Sequence, residues 1–259
     1  MKHSWKITLI LIVLFLAAQF IGLLVTKHYL GEKLPYNIER PEVSSMYSVA
    51  EIIVIIILAS VFVFILVKFR AYRLWKFWFF ISVMVTLSIS FSAFINETIA
   101  FGVAIIFAIL RIFKNNVYIH NFTELFMYGA LAAIFAPMLN ILSGFILLLL
   151  ISIYDMIAVW KTKHMIKLAK FQTKAKMFAG LIIPYKKDNA ILGGGDIGFP
   201  LLFSGIVFGV YSTKAFIMPI FVTLSLLGLF LFTKKKKFYP AMPFLTAGCL
   251  LGYFIVTLL

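Results

Sequence analysis

Two aspartates stand where a charge is hardest to keep. Asp155 lies in Ile151-Ser152-Ile153-Tyr154-Asp155-Met156-Ile157, and Asp196 in Leu192-Gly193-Gly194-Gly195-Asp196-Ile197. An ionisable group inside an apolar span is costly, which makes it a candidate for function. Two carboxylates brought to one depth cannot both ionise easily, so they share a proton. The ionised member can then take a proton from water while the protonated member polarises a carbonyl, giving a tetrahedral intermediate. That chemistry needs no metal or cofactor. His3, His28, His120 and His164 are scattered near boundaries and loops, without ligand spacing.

A third element lies on the same side of the chain's pattern. Pro240-Ala241-Met242-Pro243 opens the last apolar stretch, three residues after Lys237. Prolines are cheap in the first turn of a helix, so a helix start is the ordinary reading. Two prolines this close also leave backbone groups without helical partners, tolerated only against protein or water.

The elements that must position these residues are transmembrane helices. The chain has 259 residues, 63% hydrophobic and 13% charged, far more apolar than a soluble domain needs. The apolar runs are continuous and lack the period of two that barrel strands require. The formal net charge of +15 would suggest nucleic acid in a soluble protein. Here the basic residues sit between spans and set orientation, so no nucleic-acid partner is expected. The one cysteine, Cys249, reads as a small core residue.

Nine helices account for the chain as a single polytopic domain, an all-α membrane protein. The first run, Ile7–Thr26, is too long for a signal-peptide core and is taken as a retained span. Met46–Val67 and Phe77–Ile95 follow, and a break at Asn96-Glu97 separates the third span from a fourth ending at Leu110. Phe122–Trp160 is expected to fold back at Pro137–Asn140, and Ala190–Thr233 to divide at Ser212–Lys214. A ninth span runs from about Tyr239 to Leu259. With this division, 20 of the 24 Lys and Arg residues fall on one side, Arg111 among them. The excess puts the N-terminus in the cytoplasm and the C-terminus outside. The basic segment 161–189 reads as a surface helix or flexible loop against anionic lipid. Trp5, Trp75, Trp78 and Trp160 fall where an interfacial belt would lie.

Asp155 then sits six residues from the basic boundary at Lys161, and Asp196 nine residues beyond Lys187. Three successive glycines weaken a helix there, since each costs about 1 kcal/mol against alanine. An unwound start would bring the two acids closer in depth. From position alone, two other roles stay open: a helix-pairing hydrogen bond, or a relay acid in a proton- or cation-coupled transporter. The only other acids in the spans, Glu51 and Glu124, read as interfacial.

Taken in order, Tyr154-Asp155, Gly193-Gly194-Gly195-Asp196 and Pro240-Ala241-Met242-Pro243 resemble the YD, GxGD and PAL motifs of the presenilin and signal peptide peptidase family. Those are intramembrane aspartyl proteases with nine helices. Met242 stands where the family has leucine. The resemblance implies that Asp155 and Asp196 are the catalytic pair. It also implies that Tyr154, the three glycines and Pro240–Pro243 shape the site and receive substrate. The substrates would be transmembrane helices that unwind near the cut, an unwound segment pairing as an added strand beside the Gly-rich turn. The compact loops point to a prokaryotic, archaeal-type homologue in the cell membrane, working without an obligatory partner subunit. The predicted orientation matches presenilin, so substrates would have their N-termini outside. A rival is the prepilin peptidase group, which also uses a GxGD aspartate. Its members usually place a lysine soon after that aspartate, whereas Ile197-Gly198-Phe199-Pro200 follows here.

Overall fold

The computed structural model describes residues 5–40, 72–114, 116–161, 178–185, 188–233 and 239–259, with Val54 and Leu58 standing alone between them. The expected second span, Met46–Val67, therefore lies almost wholly outside the described residues, as do Glu51, residues 162–177 and Lys234–Lys237. The described helices are α1 (Trp5–Tyr29), α2 (Tyr72–Ser92), α3 (Glu97–Phe113) and α4 (Val117–Phe135), then α5 (Ile141–Met156), α6 (Gly194–Tyr211), α7 (Met218–Phe232) and α8 (Met242–Leu258). Between α5 and α6 lies a hairpin of β1 (Gly180–Tyr185) and β2 (Asp188–Gly193). Among the described residues, four helical stretches, Trp5–Tyr29, Arg73–Ser92, Ile141–Lys161 and Gly194–Phe232, are long and apolar enough to cross a membrane.

The long apolar runs break where short polar residues can cap a new helix. Asn96 accepts a bond from the Thr98 N–H at 3.0 Å and starts α3. Asn140, just after the Ala136–Met138 turn, accepts from Ser143 N–H at 2.8 Å and starts α5. Asn116 caps α4 in the same way, which carries that helix to Val117, five residues before the expected Phe122. The run from Gly194 to Phe232 breaks at Ser212–Ile217, a 3-10 stretch entered through Ser212 at φ 49°.

Packing is inside out relative to a soluble protein. The buried stripe of α3 is Ala100, Ala104, Ala108 and Arg111, while Ile99, Phe101, Ile106 and Phe113 point outward. Small residues inside and large apolar ones outside suit helices solvated by lipid. At the crossing of α1 and α4, a Cβ on Gly129 would come 3.0 Å from the Gly22 Cα, so the two backbones touch. α1 also packs on α6 and α7, while α5, α6 and α8 pack on one another. Cys249 is buried, as expected of a core residue. Trp5, Trp78 and Trp160 are exposed, but Trp75 turns inward and is buried against the α2–α4 core.

One expectation is corrected in the segment 161–189. Its C-terminal part is neither surface helix nor loop. Residues 180–185 pair antiparallel with 188–193, from Gly180 opposite Gly193 to Tyr185 opposite Asp188. Ala190–Gly193, expected to begin a helix, is strand instead. Leu181, Ile183, Ala190 and Leu192 bury one face of this hairpin in the main core. That burial outweighs the basic flanks, which had suggested a solvated segment.

Candidate active site

The site is assembled by three elements. Asp155 lies one residue before the end of α5, where the helix widens into a π turn over Ile157–Lys161. Such turns are rare and concentrate at functional sites. Asp196 is the third residue of α6, directly after β2. The helix begins at Gly194, so only Gly193 of the triplet is outside it, and the strand rather than an unwound coil sets the depth of Asp196. Both aspartates are half-buried. They stand close enough for the charge of Asp155 to act on Asp196.

The proline motif has a specific task at Asp155. Pro240 ends the approach and Pro243 sits in the first turn of α8, so the helix start presents backbone N–H groups that no carbonyl of α8 can satisfy. The Met242 N–H donates to Asp155 Oδ2 at 3.1 Å, and the Ala241 N–H also reaches this carboxylate. Both the donors and the helix dipole favour an acidic group there. One turn earlier, the Ser152 hydroxyl meets the Thr246 hydroxyl at 2.8 Å, a buried link that holds α5 to α8. Pro240, Ala241 and Met242 are buried and Pro243 is half-buried. Tyr154 differs from the rest: it is exposed on the outward side of α5.

Asp196 is held by different groups. The Gly193 N–H bonds its carboxylate, and a Cβ at Gly193 would sit 3.3 Å from Asp196 Oδ2. Gln19, a lone amide in α1, donates to the Ile197 carbonyl at 2.8 Å inside the core. Gly194 has no room for a side chain, since a Cβ would meet the Tyr128 hydroxyl at 2.5 Å. Gly195 is exposed.

Behind Gly194 lies a polar cluster absent from the sequence-based expectations. Glu124 is not interfacial, and Arg111 is not a boundary charge. They form a fully buried ion pair, and Glu124 also accepts the Tyr128 hydroxyl proton. Arg111 reaches Phe178 O at 3.2 Å, and His120 Nε2 lies 2.8 Å from Gly180 O. Asn121 takes both main-chain groups of Ile182, accepting from its N–H at 2.9 Å and donating to its C=O at 2.8 Å. The signal was present in the sequence as polar residues spaced one helical turn apart, 120, 121, 124 and 128, in an apolar run.

Those bonds decide which edge of the hairpin α4 covers. Ile182 cannot pair with β2 if both its groups go to Asn121, so Ile182 and Ile191 form a pair without ladder bonds. By alternation the same holds at Gly180–Gly193 and Pro184–Asn189. Pro184, with no N–H to give, fits that position. The outer edge of β1 is therefore covered by α4. Asn189, Ile191 and Gly193 turn their main-chain groups to the outer edge of β2, which ends three residues before Asp196.

Residues 7–259 match the family described as signal-peptide peptidase, presenilin aspartyl protease. The chain belongs to that family. It is an intramembrane aspartic endopeptidase, which settles the choice against a transporter or a prepilin peptidase. Two solved structures share its fold, both of a presenilin family intramembrane aspartate protease. The C222 crystal form gives a TM-score of 0.67 at 20% identity, covering 97% of this chain and 98% of the other. The P2 form gives 0.68 at 20% identity, covering 99% of each chain. No curated protein matches.

A glycine in the hairpin tests how far the protease depends on this geometry. Gly180 has φ +137°, and a Cβ there would lie 2.1 Å from Leu192 O and 3.0 Å from Gly194 N. Gly180→Ala is expected to displace β1 from β2 at the end nearest Asp196. Strain of this type costs about 1–3 kcal/mol. If 1.4 kcal/mol of it falls on positioning, cleavage slows about tenfold. Initial rates on a labelled transmembrane peptide, with thermal stability in detergent as control, measure both effects.

Proposed function

We propose that Asp155 and Asp196 are the catalytic pair of this protease and that β2 receives the substrate. The observation that carries the first part is the placement of two half-buried carboxylates on helices that pack on each other, Asp155 against the start of α8 and Asp196 just after the end of β2. One carboxylate removes a proton from water as the water oxygen bonds to the scissile carbonyl carbon. The other gives its proton to the carbonyl oxygen. Collapse of the tetrahedral intermediate breaks the C–N bond, and the leaving amine takes up a proton from the pair. Tyr154, on the outward face of α5, and the Pro240–Pro243 turn then border the approach of the substrate.

A helical peptide bond hides its carbonyl in the helix, so the substrate must unwind before attack. An unwound segment in a membrane needs new partners for its backbone groups. The outer edge of β2 supplies them through Asn189, Ile191 and the Gly193 carbonyl, and an added strand there runs toward Asp196. The protein is one polytopic unit of nine spans in the cell membrane, with a cytoplasmic N-terminus and no obligatory partner subunit. Its substrates are transmembrane helices.

The test is cleavage of a labelled transmembrane peptide by the full chain in proteoliposomes, with products identified by mass. Cuts inside the apolar segment, blocked by a hydroxyl-bearing transition-state analogue of aspartyl proteases, are expected. Cuts confined to the soluble flanks, or insensitive to the analogue, would overturn the reading.

A further inference from the structure

The buried cluster behind Gly194 has no part in the chemistry described so far, yet it touches both the hairpin and the turn that carries Asp196. From Arg111 one branch goes to the Phe178 carbonyl at the foot of β1, at 3.2 Å. The other goes through Glu124 to the Tyr128 hydroxyl, which lies where a Cβ of Gly194 would be. Arg111 and Glu124 are almost fully enclosed, so nothing but protein fixes their positions. Tyr128 is buried too, and a Cβ at Gly198, one turn along α6, would touch its ring at 3.4 Å. The ring thus spans both ends of the turn that carries Asp196, and the charge of Asp196 acts on its hydroxyl.

Resting on the assignment of Asp155 and Asp196, we propose that Tyr128, locked by the buried Glu124–Arg111 pair, is a positioning residue that sets where the Gly193–Asp196 turn presents its carboxylate. A tyrosine held only by packing could slide along α6. One whose hydroxyl is tied to an ion pair cannot, because moving it leaves a buried oxygen of Glu124 without its donor. The same ion pair ties β1, so strand and turn move together or not at all.

The experiment measures initial rates against peptide concentration for the full chain in proteoliposomes. The variants are Tyr128→Phe, Glu124→Gln, Gly194→Ala and the double variant Tyr128→Phe/Gly194→Ala, with Asp155→Asn and Asp196→Asn as references. Misplacing a reacting group by about 1 Å costs about 100-fold. Tyr128→Phe and Glu124→Gln are accordingly expected to lower kcat by about 10- to 100-fold, with KM nearly unchanged. Tyr128→Phe leaves the ion pair in place, so it reads positioning even where Glu124→Gln does not fold. Gly194→Ala is expected to lose activity through its clash with the hydroxyl. Removing that hydroxyl leaves ring contacts of 3.1 Å, so the double variant should be more active than Gly194→Ala alone. Wild-type kcat in Tyr128→Phe, an effect on KM only, or a double variant no better than Gly194→Ala would each overturn the proposal. Loss of activity in both aspartate references, with normal Tyr128→Phe, defeats this inference alone. Activity in either reference defeats the assignment of the pair itself.

Discussion

Replacing either Asp155 or Asp196 by asparagine is expected to reduce cleavage by at least about 10³-fold, the middle of the range for a positioned acid or base. Asparagine keeps the shape of the side chain. At position 155 its oxygen can still accept from the Met242 N–H, which now stands 3.1 Å from Asp155 Oδ2. Folding should therefore survive, as read by thermal denaturation in detergent and by retention of the apolar core. What asparagine cannot do is take a proton from water or return one to the leaving amine. Because the two acids act as one unit, the double variant should be scarcely slower than either single one. A double variant whose loss is the product of the singles would mean that the acids work independently. A single variant with substantial activity would remove that residue from the chemistry.

The parts of this site that were legible in the sequence are those set by local chemistry. Aspartates in apolar runs, prolines at a helix start and asparagines at helix breaks each carry a cost or a bond that is decided within a few residues. The break at Asn96, the turn at Pro137 and the pairing of α5 with α6 follow from such signals. The hairpin did not, because its strands are short and flanked by lysines, and its burial depends on helices distant in sequence. Arg111 and Glu124 misled for a related reason. A charge near the end of a span reads as solvated unless its partner is known, and these two are 13 residues apart on different helices. Gln19, a single amide in an apolar helix and absent from the sequence-based expectations, donates to the carbonyl of Ile197. A polar residue in the middle of a span signals a partner without saying where that partner lies.

The same ion pair gives the largest expected effect on stability. Removing one member of a buried pair leaves the other charge uncompensated, which costs about 3–5 kcal/mol. Arg111→Met and Glu124→Leu are each expected to destabilise the protease by about that amount, measured by thermal or denaturant unfolding in detergent. Arg111 loses more than a charge partner, since its Nη atoms also bond Thr123 Oγ1 and Phe178 O, and its guanidinium lies 5.3 Å from the centre of the Phe79 ring. Combining Arg111→Met with Glu124→Leu removes both charges, and the double variant should be more stable than either single one. Buried pairs replaced by apolar residues of similar volume often lose little. Activity should not follow stability back, because Tyr128 then has no carboxylate to hold it. A double variant that regains its fold and remains slow would separate the two roles of the pair. If Glu124→Leu alone shifts stability by less than about 1 kcal/mol, the pair is not buried in the way its geometry requires.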